Sequence, residues 1–141
     1  MNYDFIAKGV SIVRCGDKND IDRFYRLYTE FGIPTYIIFD GDHQHLGTAD
    51  EADTISKNRV LTGFFGAPVD FPDNSVNEKY LGFERTFNEN LNFATAKKGL
   101  SLFKEVRRQI TSQAQVPAWV QEVINRVDAL QDNVPSILRT V

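Results

Sequence analysis

The sequence predicts an α/β domain: a parallel sheet flanked by helices and closed by further helices at the C-terminal end. Three observations carry that expectation. The β-branched run "GVSIVRC" (9–15) is followed by a helical pattern and then by the apolar run "TYIIFD" (35–40). That is strand, helix, strand within about thirty residues, and such units pair in parallel through a right-handed crossover. Beyond residue 93 the apolar spacing becomes helical. The 141 residues suit one domain, 1–141, with 94–141 as its helical part.

The elements are justified in turn. "GDKND" (16–20) supplies turn and helix-start chemistry. Ile21, Phe24, Tyr25, Tyr28 and Phe31 then recur at helical spacing, and Gly32 is placed to stop that helix. Pro34 precedes the strand 35–40. "EADTISKNRVLTGFFG" (51–66) reads as a second helix ending at Gly66, and "APVDFPDNSVNEK" (67–79) as loop. "YLGFE" (80–84) reads as a short strand, and "RTFNENL" (85–91) opens a helical turn. The segment 94–113 reads as an amphipathic helix. Gly99, Leu102, Phe103, Val106 and Ile110 lie on one side, and Lys97, Lys104 and Arg108 on the other. A last helix starts near Pro117 with the stripe Val120, Val123, Ile124 and Val127.

Composition narrows the class. Hydrophobic residues are 42% and charged residues 25%, the profile of a water-soluble globular protein. No apolar run approaches the roughly 20 residues of a membrane span. A single cysteine, Cys15, excludes an internal disulfide framework and points to a reducing cytoplasm. Its place at the end of an apolar run favours a buried, inert thiol. Charge is polarised. Between Asp40 and Asp53 lie Asp40, Asp42, Asp50, Glu51 and Asp53 with no Lys or Arg. Between Lys97 and Arg108 lie Lys97, Lys98, Lys104, Arg107 and Arg108 against Glu105 alone. These poles suit either a bound cation and a polyanion, or two solvated faces.

The chemistry concentrates at "FDGDH" (39–43). Ligands of open α/β sheets bind beyond the carboxyl ends of strands, where Asp40 and Asp42 stand. Gly41 lets the chain turn so that both side chains can face one centre. Two close carboxylates repel, and Mg²⁺ removes that cost while gaining hard oxygen ligands. The alternative is an Asx-type turn in which the aspartates cap the backbone. Glu84, ending "YLGFE", either joins the site or is an exposed strand end. Asp50, Glu51 and Asp53 suit the first turn of a helix. His43 and His45 lack partners for a zinc set and read as loop residues. Trp119 and the other aromatic residues read as core.

The stretch "GVSIVRCGDKNDIDRFYRLYTEFGIPTYIIFDGD" resembles the Toprim domain of the OLD (overcoming lysogenization defect) family of ATP-dependent endonucleases. The resemblance rests on Gly16, Lys18 and Asn19 in the turn, on "FGIP" (31–34), and on Asp40 and Asp42 after the strand. Downstream, "GFERTFNENL" is similar to the family's aromatic–Glu segment, and "AKKGLSLFKEV" with "VPAWVQEVINRV" to its closing helices. The resemblance implies a Toprim-like, Rossmann-like parallel sheet and metal-dependent cleavage of DNA phosphodiesters. Asp40, Asp42 and Glu84 would then ligate Mg²⁺ or Mn²⁺. Lys97, or alternatively Lys98, would be the catalytic lysine. Lys98, Lys104 and Arg108 would contact DNA. The implied partners are DNA and an ATPase domain of the same or another chain, with self-association also compatible and no membrane.

The chain also departs from the family. Toprim sites need a glutamate on a strand ahead of "GVSIV", and "MNYDFIAK" holds none. No P-loop of GxxxxGK[ST] type is present. The expectation is an N-terminally truncated Toprim domain with weak or absent cleavage by itself. Two rivals remain. Haloacid-dehalogenase-type phosphatases also carry a strand followed by DxD, but place it on the first strand and follow it with Thr or Val where this chain has Gln44. A catalytically inactive Toprim-like interaction or regulatory module would keep the fold without the chemistry.

Overall fold

The computed structural model describes residues 4–91, 93 and 95–132. Helix α1 spans Lys18–Glu30, and Asp17 caps it by accepting hydrogen bonds from the amides of Asn19 (2.7 Å) and Asp20 (3.0 Å). Gly32 follows at φ +67°, the left-handed conformation that ends a helix at little cost to glycine. Strand β1 (Ile37–Asp40) comes next, then α2 (Glu51–Gly63) and strand β2 (Tyr80–Phe83). A single helical turn at Phe87–Asn90 precedes α3 (Gly99–Gln109) and α4 (Ala118–Asp132). β1 and β2 are parallel, with Ile37 opposite Tyr80 and Asp40 opposite Phe83. The α/β class expected from the sequence is therefore present in its essentials, as a two-stranded parallel sheet with helices.

Alternation along β1 explains the layers. Ile37 and Phe39 point to one face, where they pack with Leu61 of α2 and with Ile21 and Tyr25 of α1. Leu81 and Phe83 of β2 point to the other face, where they meet Val123, Val127 and Trp119 of α4. Trp119 stands edge-on to both Phe83 (5.2 Å) and Phe87 (5.8 Å) and donates its indole N–H to the carbonyl of Asn90 at 2.9 Å. Trp119, Phe83 and Phe87 thus belong to a core, as read from the sequence, whereas Phe5, Phe24 and Phe31 remain exposed.

Expectations for two segments are corrected. Residues 10–15 form no strand, so β1 is the first strand among the described residues. A strand exists through its hydrogen-bonded neighbour. The amide of Val10 instead bonds back to the carbonyl of Phe5 (2.8 Å), and Ile12 and Val13 remain exposed. Cys15, expected to be buried, is only half-buried, although burial and the nearby Asp20 push its thiol pKa up and disfavour the reactive thiolate. Secondly, α3 is shorter than 94–113. It begins at Gly99, so Lys97 precedes the helix and Lys98 is its extended capping residue. Residues 94 and 133–141 of the expected helical part, the surroundings of Gly99, and the side chains of Phe103 and Asp132 lie outside what is described. Among the described residues, no helix is long and apolar enough to cross a membrane.

A candidate site at the carboxyl end of the parallel strands

Because β1 and β2 run parallel, their carboxyl ends lie side by side. Backbone pairing continues past both strands: the amides of Gly41, Asp42 and His43 donate to the carbonyls of Phe83, Arg85 and Glu84 at 2.7, 3.0 and 3.0 Å. This fixes the turn carrying the two aspartates. Any Cβ on Gly41 would collide with the Phe83 carbonyl and the Pro72 ring, so the position requires glycine. Asp42 adopts the left-handed conformation (φ 57°), which aspartate tolerates better than most residues.

The two carboxylates have different surroundings. Asp40 is half-buried, and its Oδ1 accepts a hydrogen bond from the amide of Phe87 at 2.7 Å. Burial pushes its pKa up, against the Phe87 amide, and the neighbouring Asp42 charge adds to the rise. Asp42 accepts from the Lys18 ammonium at 2.9 Å on Oδ2 and from the Gln44 amide at 3.0 Å on Oδ1. Lys18 also donates to Oδ1 of Asn58 at 2.8 Å. Asn58 has no exposed surface, and its Nδ2 donates to the carbonyls of Gly41 (2.8 Å) and Asp70 (2.7 Å). The acidic turn, α1 and α2 are thus tied into one hydrogen-bonded network. Asp40 does cap a backbone amide, but one 47 residues away, so a local Asx turn does not account for it.

The other expected site residues are distributed around this centre. Glu84 follows β2, adjoining the turn through its backbone, while its exposed carboxylate lies 3.5 Å from Nδ1 of His43. His43 also stacks edge-on against Phe71, and His45 shares a 2.8 Å hydrogen bond with Thr54. Asp50, Glu51 and Asp53 open α2, as expected. Lys97 reaches Glu105 at 2.9 Å instead of the aspartates, and Arg108 pairs with the same carboxylate. Those two cations and Gln109 hold the Glu105 carboxyl down at about 2, with Arg108 the largest influence. Lys98 and Lys104 are exposed.

Mg²⁺ takes one or two carboxylates together with water and substrate phosphate, and Asp40 with Asp42 offers that donor chemistry. Among the described residues, however, no three His, Cys, Asp or Glu side chains gather as a ligand cluster. The fit is that of a half-site.

Sequence reading missed the roles of Lys18 and Asn58. Lys18 stood in the quoted "GDKN" turn without an assigned partner. Asn58 belongs to a buried polar face of α2, Thr54–Asn58–Thr62, whose four-residue spacing is visible in the sequence but carries no hydrophobic signal.

A family model described as "Overcoming lysogenization defect protein-like, TOPRIM domain" matches residues 1–42. The match runs through Gly16, Lys18 and Asn19, the "FGIP" stretch and both aspartates, the residues on which the resemblance rests. Glu84 and Lys97 lie beyond it. No curated protein and no solved structure matches the chain.

Proposed function

We propose that this chain is the Toprim part of an OLD-like nuclease, in which Asp40 and Asp42 hold Mg²⁺ or Mn²⁺ against a DNA phosphate. The observation that supports this best is the convergence of both aspartates at the carboxyl end of a parallel sheet, within a segment that matches the Toprim family model. When bound, the cation activates a water and stabilises the leaving oxygen of a phosphodiester. The chain's own part is to present two carboxylates on a turn that Gly41 and the network around Asn58 hold rigid. Glu84, at the end of the neighbouring strand, is the further acidic candidate. Lys97 or Lys98 is the candidate for the catalytic lysine, and Lys98, Lys104 and Arg108 are candidates for neutralising DNA phosphates. The half-site implies that cleavage requires a further acidic group supplied from outside the described residues. An ATPase domain, in the same or another chain, is the partner this reading expects, in the cytoplasm.

The alternative is a Toprim-like interaction or regulatory module without catalysis. It is favoured by the Lys18–Asp42 ion pair, which neutralises one carboxylate without any metal. With β1 the first strand among the described residues, strand order no longer separates this chain from the phosphatase class, but Gln44 still does. Thermal unfolding with and without Mg²⁺ or Mn²⁺ at matched ionic strength tests the main reading. A cation at ten times its Kd stabilises the native state by about 1.4 kcal/mol. That should raise the midpoint by roughly 5 °C for a domain of this size. The rise should vanish in the Asp40→Ala/Asp42→Ala chain. An unchanged response in that chain would sink the assignment, and no response in the wild type would favour the non-catalytic module.

A further inference from the structure

The Lys18 ammonium is held more elaborately than a surface ion pair requires. Both amide hydrogens of Asn58 are used on main-chain carbonyls, which leaves Oδ1 aimed at Lys18 Nζ. Asn58 is fully buried, so it cannot turn away to solvent. The Lys18 side chain is itself only 12% exposed, and its Nζ lies 6.0 Å from the centre of the Phe39 ring. A desolvated ammonium needs a counter-charge, and Asp42, at 2.9 Å, supplies it. Three elements, the start of α1, the middle of α2 and the tip of β1, thus converge on one cation beside the acidic pair.

We propose that Lys18 is the resident counter-cation of the acidic tip, and that a divalent ion reaches Asp42 only by displacing it. Lys18 thereby sets the concentration at which the site fills. The inference rests on the metal reading above and adds its regulation. The physical reason is charge. With Lys18 in place, Asp42 is neutralised and an arriving dication meets a fixed positive charge nearby. With Lys18 removed, Asp40 and Asp42 repel one another, and a dication relieves that repulsion.

The test is calorimetric titration of Mn²⁺ into four chains: wild type, Lys18→Met, Lys18→Arg and Asp40→Asn/Asp42→Asn. Lys18→Met should bind Mn²⁺ at least about tenfold more tightly than wild type. Lys18→Arg, which keeps the charge, should stay near wild type, and the doubly neutralised chain should not bind. Equal or weaker binding by Lys18→Met, with wild-type binding lost in the Asn pair, overturns the inference and leaves the metal reading standing. Binding that survives in the Asn pair, or that is absent from both wild type and Lys18→Met, overturns the metal reading and this inference with it. A metal-free measurement accompanies the titration. The losses in unfolding midpoint for Lys18→Met and Asp42→Asn should be less than additive when combined, whereas additive losses would show that the pair does not interact and would overturn the inference. Should Lys18→Met not fold, Lys18→Gln keeps an N–H donor for the buried polar surroundings without the charge and is read in the same way.

Discussion

Asp42 and Glu105 are both paired carboxylates, yet the chain treats them differently. Asp42 sits in a left-handed turn with both oxygens engaged, one by Gln44 two residues on and the other by Lys18 at the start of α1. Such local strain persists only where the surroundings over-determine it. Glu105 is served mainly from its own helix, by Arg108 and Gln109, with Lys97 arriving from just before it. Its carboxyl falls from the ordinary 4.5 to about 2 in the folded chain. A depressed native pKa means that the stability Glu105 contributes is fully present above about pH 4.5 and is lost as pH falls towards 2. Urea midpoints measured from pH 6 to pH 2 should therefore show a shallower acid decline in Glu105→Gln than in wild type. An identical decline would mean that other carboxylates carry it. Because Lys97 and Arg108 are more than half exposed, the pair itself contributes little net stability near neutrality.

At the scale of elements, α2 is the instructive one. Its buried positions are Thr54, Asn58, Leu61 and Thr62, three of them polar, while Val60 faces outward. Every one of those polar side chains has a partner: Thr54 with His45, Asn58 with Gly41 and Asp70, and Thr62 with the carbonyl of Asn58 and the amide of Val69. A fully satisfied polar face specifies one arrangement of helix against turn, because any slip would strand buried donors. The turn it supports tolerates no added atom. Gly41→Ala would force its methyl into the Phe83 carbonyl and the Pro72 ring, and overpacking of this kind costs about 1–3 kcal/mol. A urea titration of Gly41→Ala should show that loss. Wild-type stability in that variant would mean that the acidic turn is looser than its hydrogen bonds indicate. Apolar periodicity could not locate this helix's working face, whereas in α1 Ile21 and Tyr25 of the apolar stripe do pack against the core, with Phe24 and Phe31 of the same stripe exposed.

At the scale of the whole molecule, two small cores among the described residues share one pair of strands. Ile37, Phe39 and Leu61 form the first, on the side of α1 and α2, and Leu81, Phe83 and Val123 the second, on the side of α4. Asp40 lies at the edge between them, opposite Phe83 in register and bonded to the amide of Phe87. The second core therefore supports the site as well as the helix that covers it. Phe83→Ala should cost about 3–5 kcal/mol, the usual range for a buried phenylalanine. It should also shift the emission of Trp119, the single tryptophan, because the two rings are in edge contact. Unchanged Trp119 emission in a folded Phe83→Ala chain would show that α4 is held on the sheet by other contacts.

Residue order alone determined the helix α1 with its start in "GDKND" and its Gly32 stop, the strands around "IIFD" and "YLGF", the last helix and its apolar stripe, and the placement of two aspartates at a strand end. Those features are local: propensity, spacing and turn chemistry suffice to produce them. Only the tertiary structure decided that "GVSIVRC" forms no strand among the described residues, because a strand is defined by a neighbour that its own residues do not specify. Likewise only the fold brought Asn58 to Lys18, 40 residues apart in the chain, set Lys18 against the Asp42 carboxylate, and tied Lys97 to Glu105. Long-range polar contacts leave no periodic trace in a sequence, since their energy depends on partners that meet only after the chain has folded.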